Sequence, residues 1–429
     1  MIARALVRRR WRRSPAARTT GGGRPVILTV TLNAALDITY RVPRLTVSAT
    51  HRVAEVSERP GGKGLNVARV LAALGHRTVV TGFAGGATGA ALRDMLAAEA
   101  GTCEAARRAS RTGTTTNPGT GTGTGSAIAA VPSAAAGASA TADAAPTTDA
   151  APTTDAGPTT DAGPAAGAGP LTDTGPAAGL RIGRPGTTAS AGAGRLVDAL
   201  TSIAGPTRRT VGVVDATSGD TTQLNEPGPT IGRSEWNAFL ATYTGLLRET
   251  GIQAVALCGS LPPGLPVGTY AQLIRKAQAA NVPILLDTGG EPLRRGIAAR
   301  PDLVKPNIDE LAGLTGSTEP LRAAHDARRR GARAVAASLG AAGMLAVTSE
   351  GSWWAAPPRR LAGNPTGAGD SAVAGLLSGL AEGLPWPDRL ARAVALSAAT
   401  VLAPVAGEFD PVAYEDLLPQ VEVTDRPAA

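Results

Sequence analysis

The chain has 429 residues, 43% of them hydrophobic, and a formal net charge of +8. Eight arginines and no acidic residue stand in the first 24 positions, so a short tail carries the whole excess and the remainder is neutral. That distribution gives no reason to expect a basic nucleic-acid-binding face on the folded part. No run approaches the roughly 20 apolar residues of a membrane span, and Cys103 and Cys258 alone make neither a disulfide framework nor a metal-ligand spacing.

The tail, residues 1–24, is rich in arginine and closes on Gly21, Gly22 and Gly23. Its composition is that of a targeting segment. Without an apolar stretch of signal-peptide length it reads instead as a disordered extension or an upstream start, and the expected location is the cytoplasm. VILTVTL from Val26 predicts the first strand. ITYRVPRLTV and HRVAEVSERPGG follow as hairpin material. Residues 60–75, PGGKGLNVARVLAALG, then switch to helical spacing with Val67, Val70, Leu71 and Leu74 as the apolar stripe. TVVTGFA from Thr78 is a second strand. Between about 102 and 195 the composition falls to Ala, Gly, Thr, Pro and Asp, with a six-residue period over residues 145–164. So few large apolar side chains cannot offset about 1–2 kcal/mol per residue of backbone ordering entropy, which predicts a disordered insertion.

Beyond the insertion, RRTVGVVDATSGDTTQL predicts a second hairpin around a Ser-Gly-Asp turn. Together the two hairpins suggest a small sheet, a lid over roughly 37–60 and 207–226. Apolar runs at Ala254, Val282, Asp302 and Ala334 alternate with helical patterns. This βαβ rhythm predicts one α/β domain over 25–429, interrupted by the insertion, with a mostly parallel central sheet flanked by helices. Ligands of such sheets bind beyond the carboxyl ends of the strands, so the polar residues that follow each run are the candidates.

Four stretches there carry chemistry. In GNPTGAGDSAVAGLLSGL, residues 363–380, Val373, Leu376, Leu377 and Leu380 mark a helix whose mouth holds Gly367, Ala368, Gly369 and Asp370. Converging amides at a helix N-terminus form an anion cradle beside a carboxylate able to accept a proton, although an ordinary N-cap after a glycine turn fits the stretch equally. Lys63 and Asn66, three residues apart behind Gly61 and Gly62, can point the same way from their helix, although on its own a solvated lysine in a turn fits the stretch better. Asn307 and Glu310 in KPNIDEL have the same spacing, suited to holding Mg²⁺ through its waters, although an exposed polar turn is the competing view. SLGAAG, residues 338–343, is a small-residue loop that either passes beneath a flat nucleotide or is merely a turn. No GxxxxGK[ST] phosphate loop occurs.

These stretches, with TVTLNAALD, GFAGGATG, NEPGP, GSLPPGLP and LLDTGGE, resemble in order and spacing the PfkB (ribokinase-like) family of sugar kinases. Within it they resemble the 1-phosphofructokinase and tagatose-6-phosphate kinase branch. The resemblance implies a ribokinase-like fold with a small β lid, and ATP-dependent phosphorylation of fructose 1-phosphate to fructose 1,6-bisphosphate. Tagatose 6-phosphate is the alternative substrate, and an inactive sugar-phosphate-binding regulator the alternative class. It further implies Asp370 as catalytic base, with Gly367, Ala368 and Gly369 as its anion hole. Asp37, Gly62, Lys63, Asn66 and Arg208 would hold the sugar phosphate, and Asn307 and Glu310 would organise Mg²⁺. ATP would meet Ser338, Leu339, Gly340, Ala341, Ala342, Gly343, Gly369 and Asp370. Relatives often pair through their lids, so the resemblance allows a homodimer; it implies no membrane and no specific nucleic-acid partner. Asn364-Pro365, Ala34, Gly289, Thr210 and Gly212 depart from the family pattern, and the proline removes one backbone donor near the anion hole.

Overall fold

The computed structural model describes residues 25–112, 196–249, 251–403 and 407–426. The arginine-rich tail and residues 113–195 of the expected insertion lie outside them. In chain order, β1 (Val26–Thr31) enters the centre of the molecule. β2 (Ala35–Val42) and β3 (Glu55–Gly61) make a hairpin that leads into α1 (Lys63–Ala73), β4 (Arg77–Gly85) and α2 (Gly86–Thr112). Helix α2 therefore runs ten residues past 102, into the segment that composition assigns to the insertion. After it come β5 (Leu196–Asp198), β6 (Thr201–Ile203), a second hairpin of β7 (Arg208–Asp215) and β8 (Thr221–Asn225), and α3 (Arg233–Glu249). The second half alternates β9 (Ile252–Cys258), α4 (Thr269–Ala279), β10 (Ile284–Asp287), α5 (Gly290–Ala298), β11 (Leu303–Val304), α6 (Ile308–Thr315), α7 (Pro320–Arg329) and β12 (Val335–Ser338). It closes with the meander β13 (Met344–Val347) and β14 (Ser352–Ala356), then α8 (Ala368–Ala381), α9 (Trp386–Leu402), α10 (Pro411–Leu417) and β15 (Glu422–Asp425).

The main sheet runs β15-β14-β13-β12-β11-β10-β9-β1-β4-β5, with β6 also on β4. Pairing is parallel from β12 through β5 and antiparallel from β12 outward to β15. The six apolar runs legible in the sequence are the six contiguous strands β12, β11, β10, β9, β1 and β4. Helices cover both faces. Leu28, Val30, Leu257 and Leu286 pack with Phe239, Tyr243 and Tyr270 on one side. Ile27, Ala256 and Leu285 pack with Val67, Val70 and Leu71 of α1 and Val373, Leu376 and Leu377 of α8 on the other. With both faces buried, these strands read as continuous apolar runs rather than alternating ones.

The two hairpins form a separate four-stranded sheet, β3-β2-β7-β8, antiparallel within each hairpin and parallel where β2 meets β7. Its outer strands are open to solvent: every residue of β8 and the first four of β3 are exposed. Among the described residues no helix is long and apolar enough to cross a membrane.

Candidate active site

Helices α1 and α8 lie side by side with their N-termini at the carboxyl ends of β1, β9 and β10, and the stripes seen in the sequence form their shared apolar seam. Gly62 caps α1 at φ 106°, where a Cβ would stand 2.8 Å from Thr31 Cγ2. Gly367 caps α8 in the left-handed region at φ 86°, and a Cβ there would fall 2.4 Å from Gly407 Cα. Each turn demands glycine, because an L side chain meets both the strained φ and the facing backbone.

Asp370 is therefore not the N-cap of α8. It sits one turn inside, 8% exposed, and its Oδ2 accepts a 2.8 Å hydrogen bond from Asn66 Nδ2 on α1. Burial and the neighbouring Asp287 push its carboxyl up to about 6, against the pull of Asn66, Lys63 and Lys305. Of the three amides expected in the anion hole, that of Ala368 donates to Pro365 O at 3.1 Å. The Asn364 side chain accepts from Thr366 N at 2.9 Å, so the unusual Asn-Pro pair shapes the turn before the helix. The amides of Gly369 and Asp370 belong to the helix's first turn and have no acceptor within it.

Two residues to which the sequence reading gives no role complete this end of the site. Asp287, the last residue of β10, is 1% exposed; Lys305, just past β11, is 4% exposed. Lys63 Nζ lies 3.3 Å from Asp287 Oδ2 and Lys305 Nζ 3.3 Å from Oδ1, so one buried carboxylate joins two ammonium groups. A Cβ on Gly369 would lie 3.9 Å from Lys305 Nζ, which puts this ammonium against the mouth of α8. Lys63 occupies the first turn of α1, the wrong end of a helix dipole for a cation. Burial lowers the affinity of its amine for a proton, but Asp287 and Asp370 outweigh that and hold it above the usual lysine range. The signal for both missed residues was present: each ends a buried apolar run at the carboxyl edge of the sheet.

At the base of the small sheet, Asp37 is surrounded by Arg69, Arg208 and Arg59 and bonded to the Thr210 hydroxyl; burial nevertheless leaves its carboxyl raised. Arg208 donates to Asn33 O at 3.2 Å and Glu226 O at 3.0 Å, and burial lowers its affinity for a proton. A Cβ on Gly61 would run into the Asp37 carboxyl, so Asp37 and its neighbour Arg208 adjoin the end of α1 that carries Gly62, Lys63 and Asn66.

Asn307 and Glu310 are brought together in a different way from that expected. They form a capping box on α6, Asn307 Oδ1 accepting from Glu310 N at 2.7 Å and Glu310 Oε2 from Asn307 N at 2.9 Å. Asn307 thus caps its helix. Glu310 Oε1 faces Gly289, close to where a Cβ would stand at 3.0 Å, and Glu310 acts electrostatically on Lys63. Asn307 bridges to Ser338, so the loop of residues 338–343 begins beside this pair. That loop is a short 3-10 turn, exposed at Gly340, Ala341 and Ala342, with Ala342 O held by Trp354 Nε1 at 2.9 Å. Among the described residues no group of three or more His, Cys, Asp or Glu is placed to hold a metal.

The family model of the pfkB carbohydrate kinases matches residues 30–149 and 206–412. The chain belongs to the PfkB family. It is 32% identical to a 1-phosphofructokinase of Rhodobacter capsulatus over 88% of this chain and 92% of that protein. It is 25% identical to a tagatose-6-phosphate kinase of Staphylococcus epidermidis over 93% of this chain and 100% of that one. Among solved structures, phosphofructokinase-2 of Escherichia coli superposes with a TM-score of 0.66 at 23% identity, covering 92% of this chain and 98% of that one. Ribokinase of Arabidopsis thaliana gives 0.55 at 18%, with 92% and 99% covered. This PfkB-family chain is accordingly a carbohydrate kinase with the ribokinase-like fold.

Proposed function

We propose that the protein transfers the γ-phosphoryl group of ATP to the 6-hydroxyl of fructose 1-phosphate, giving fructose 1,6-bisphosphate, with Asp370 as general base. The observation that carries this reading is the placement of Asp370: a buried carboxylate, held by Asn66, beside a helix N-terminus and two lysines. A base whose pKa of about 6 lies near neutrality is ionised at the working pH yet still takes a proton as the alkoxide forms. Similarity to the Rhodobacter capsulatus enzyme supports the sugar phosphate. So do Arg59 and Arg208 beside Asp37, since arginine forks bind phosphate oxygens bidentately.

In this mechanism the sugar hydroxyl points at Asp370 Oδ. Lys305 and the first-turn amides of α8 face the charge that spreads over the transferring group, and Lys63 fixes the sugar between the two sheets. ATP lies along residues 338–343. The hard carboxylate oxygen Glu310 Oε1, left over from the capping box, suits Mg²⁺ held through water, and the ion would neutralise the phosphate chain. The small sheet acts as a lid that excludes water from the γ-phosphate. Val47, Val53, Val56 and Leu224 stand exposed on or beside it, and a homodimer formed there would cover them.

Turnover with ATP and magnesium on fructose 1-phosphate, tagatose 6-phosphate, fructose and a nucleoside tests the reading. A kcat/KM higher on any of the other three than on fructose 1-phosphate overturns it. Tagatose 6-phosphate remains the second reading because of the Staphylococcus epidermidis relative.

A further inference from the structure

Asn66 bonds Asp370 through its amide nitrogen, and an amide has two faces of similar shape. What decides which face it shows? Arg69, one turn further along α1, donates from Nη1 to Asn66 Oδ1 at 2.9 Å. A guanidinium can only donate, so the oxygen must face Arg69 and the NH₂ must face Asp370. Arg69 is itself anchored: its Nε donates to Glu99 Oε1 and Oε2 of α2, each at 3.0 Å, and its Nη2 donates to Pro60 O in β3. The side chain is 12% exposed, so water competes weakly for these bonds.

We propose that Arg69 is a positioning residue of the phosphoryl-transfer site: it fixes Asn66 as a donor to Asp370 and ties that polarity to the foot of the lid strand β3. The inference rests on Asp370 being the base. Once Asp370 takes the proton, a free Asn66 could rotate and accept from the new hydroxyl, which would stabilise the protonated acid. Arg69 forbids that rotation and so favours the carboxylate, the form that must be present before each turnover and restored after it.

The other groups that face these residues are fixed in number and sign. Lys63 from α1, Asp287 from β10, Lys305 from the end of β11 and the Cys258 thiol from β9 surround Asp370. Glu99, Asp37 and Arg59 surround Arg69. Removing the guanidinium leaves the first set unchanged but also withdraws a positive charge from near Asp37 and Asp370, so the part of the shift that reports on Asn66 is the part that disappears when Arg69→Met is made in an Asn66→Ala background.

The experiment is the pH dependence of kcat/KM for fructose 1-phosphate at saturating ATP and magnesium, on the full chain carrying Arg69→Met or Arg69→Gln. Thermal unfolding is recorded for each variant. Glutamine keeps a polar side chain but offers either amide face, so it too loses the fixed polarity. The acid limb moves up by about 0.5–1 pH unit in both, which makes kcat/KM below that limb about 3- to 10-fold lower relative to wild type than on the alkaline plateau. An acid limb that stays at its wild-type position in either folded variant overturns the proposal, because a purely structural arginine lowers the whole profile without moving it. Asp370→Asn is assayed alongside. Retained turnover in that variant refutes the base itself; an inactive Asp370→Asn with an unmoved limb in the Arg69 variants refutes only the role of Arg69.

Discussion

The two ends of the α1–α8 pair are built on opposite terms. At the C-terminal ends, His76 Nε2 lies 2.9 Å from Ser378 Oγ and 3.2 Å from Glu382 Oε1, and Arg392 Nη1 bonds Ser378 and reaches Glu382 Oε2 at 2.8 Å. Opposite charges meet, and although burial works against it, His76 and Arg392 bring the Glu382 carboxyl down to about 2. At the N-terminal ends, Asp287 and Asp370 repel each other, a lysine sits on the positive end of a helix, and Asp287 has ion pairs but no hydrogen bond of good geometry. One end fastens the helices together; the other holds charges whose relief comes only with a ligand. The same two helices thus carry their stability and their chemistry at separate poles, and substitutions should separate the two properties.

Asp370→Asn is expected to have the largest effect, lowering kcat by about 10²–10⁴-fold. It should not lower stability. A carboxyl raised from 3.8 to about 6 on folding costs stability progressively as pH climbs through that window, so the amide should melt higher than wild type at pH 8 by roughly 1–3 kcal/mol, with the gain gone by pH 4. A variant that is both inactive and less stable at pH 8 breaks the contrast between the poles.

Lys305→Met comes next. Turnover should fall on the order of 10²–10³-fold with loss of a cation aimed at the transferring group. Stability should fall by about 3 kcal/mol, because Asp287 is left buried with only the more exposed Lys63. Adding Asp287→Asn should restore much of the stability and none of the turnover; recovery of both would show that Lys305 is only a structural partner.

Gly367→Ala forces a Cβ toward Gly407 and a left-handed φ on alanine. We expect a stability loss of about 1–2 kcal/mol and a larger fractional loss of kcat than of substrate affinity. Equal losses would place the turn in binding alone.

The smallest effect on activity should come from the opposite pole. Glu382→Gln should cost about 1–2 kcal/mol at neutral pH after allowance for solvent screening. A carboxyl depressed from 4.5 to about 2 contributes its stability above pH 4.5 and loses it as pH falls toward 2, so the two melting curves should converge in acid. kcat/KM and its pH limbs should be unchanged. A moved limb would mean that the poles are coupled through the helices.

The amino-acid order determined the architecture, because burial on both faces of a parallel sheet imposes continuous apolar runs and a 3.6-residue stripe on each covering helix. It also singled out Asp370, Lys63 and Asn66, which stand at helix mouths behind glycines that only such turns require. Asp287, Lys305 and Arg69 escaped notice. Their roles follow from which strand ends lie adjacent and which helix faces meet: Asp287 meets Lys305 from the next strand, and Arg69, although three residues from Asn66, gains its role only because Asn66 meets Asp370 304 residues away. The Asn307–Glu310 spacing was read as a cation pair, whereas the fold uses its backbone bonds first to cap α6, a local interaction that i, i+3 spacing serves equally well. Local periodicity and turn chemistry act within a few residues and so can be read along the chain. The charge balance at a buried site depends on which side chains the packing brings together, and only the tertiary structure decides that.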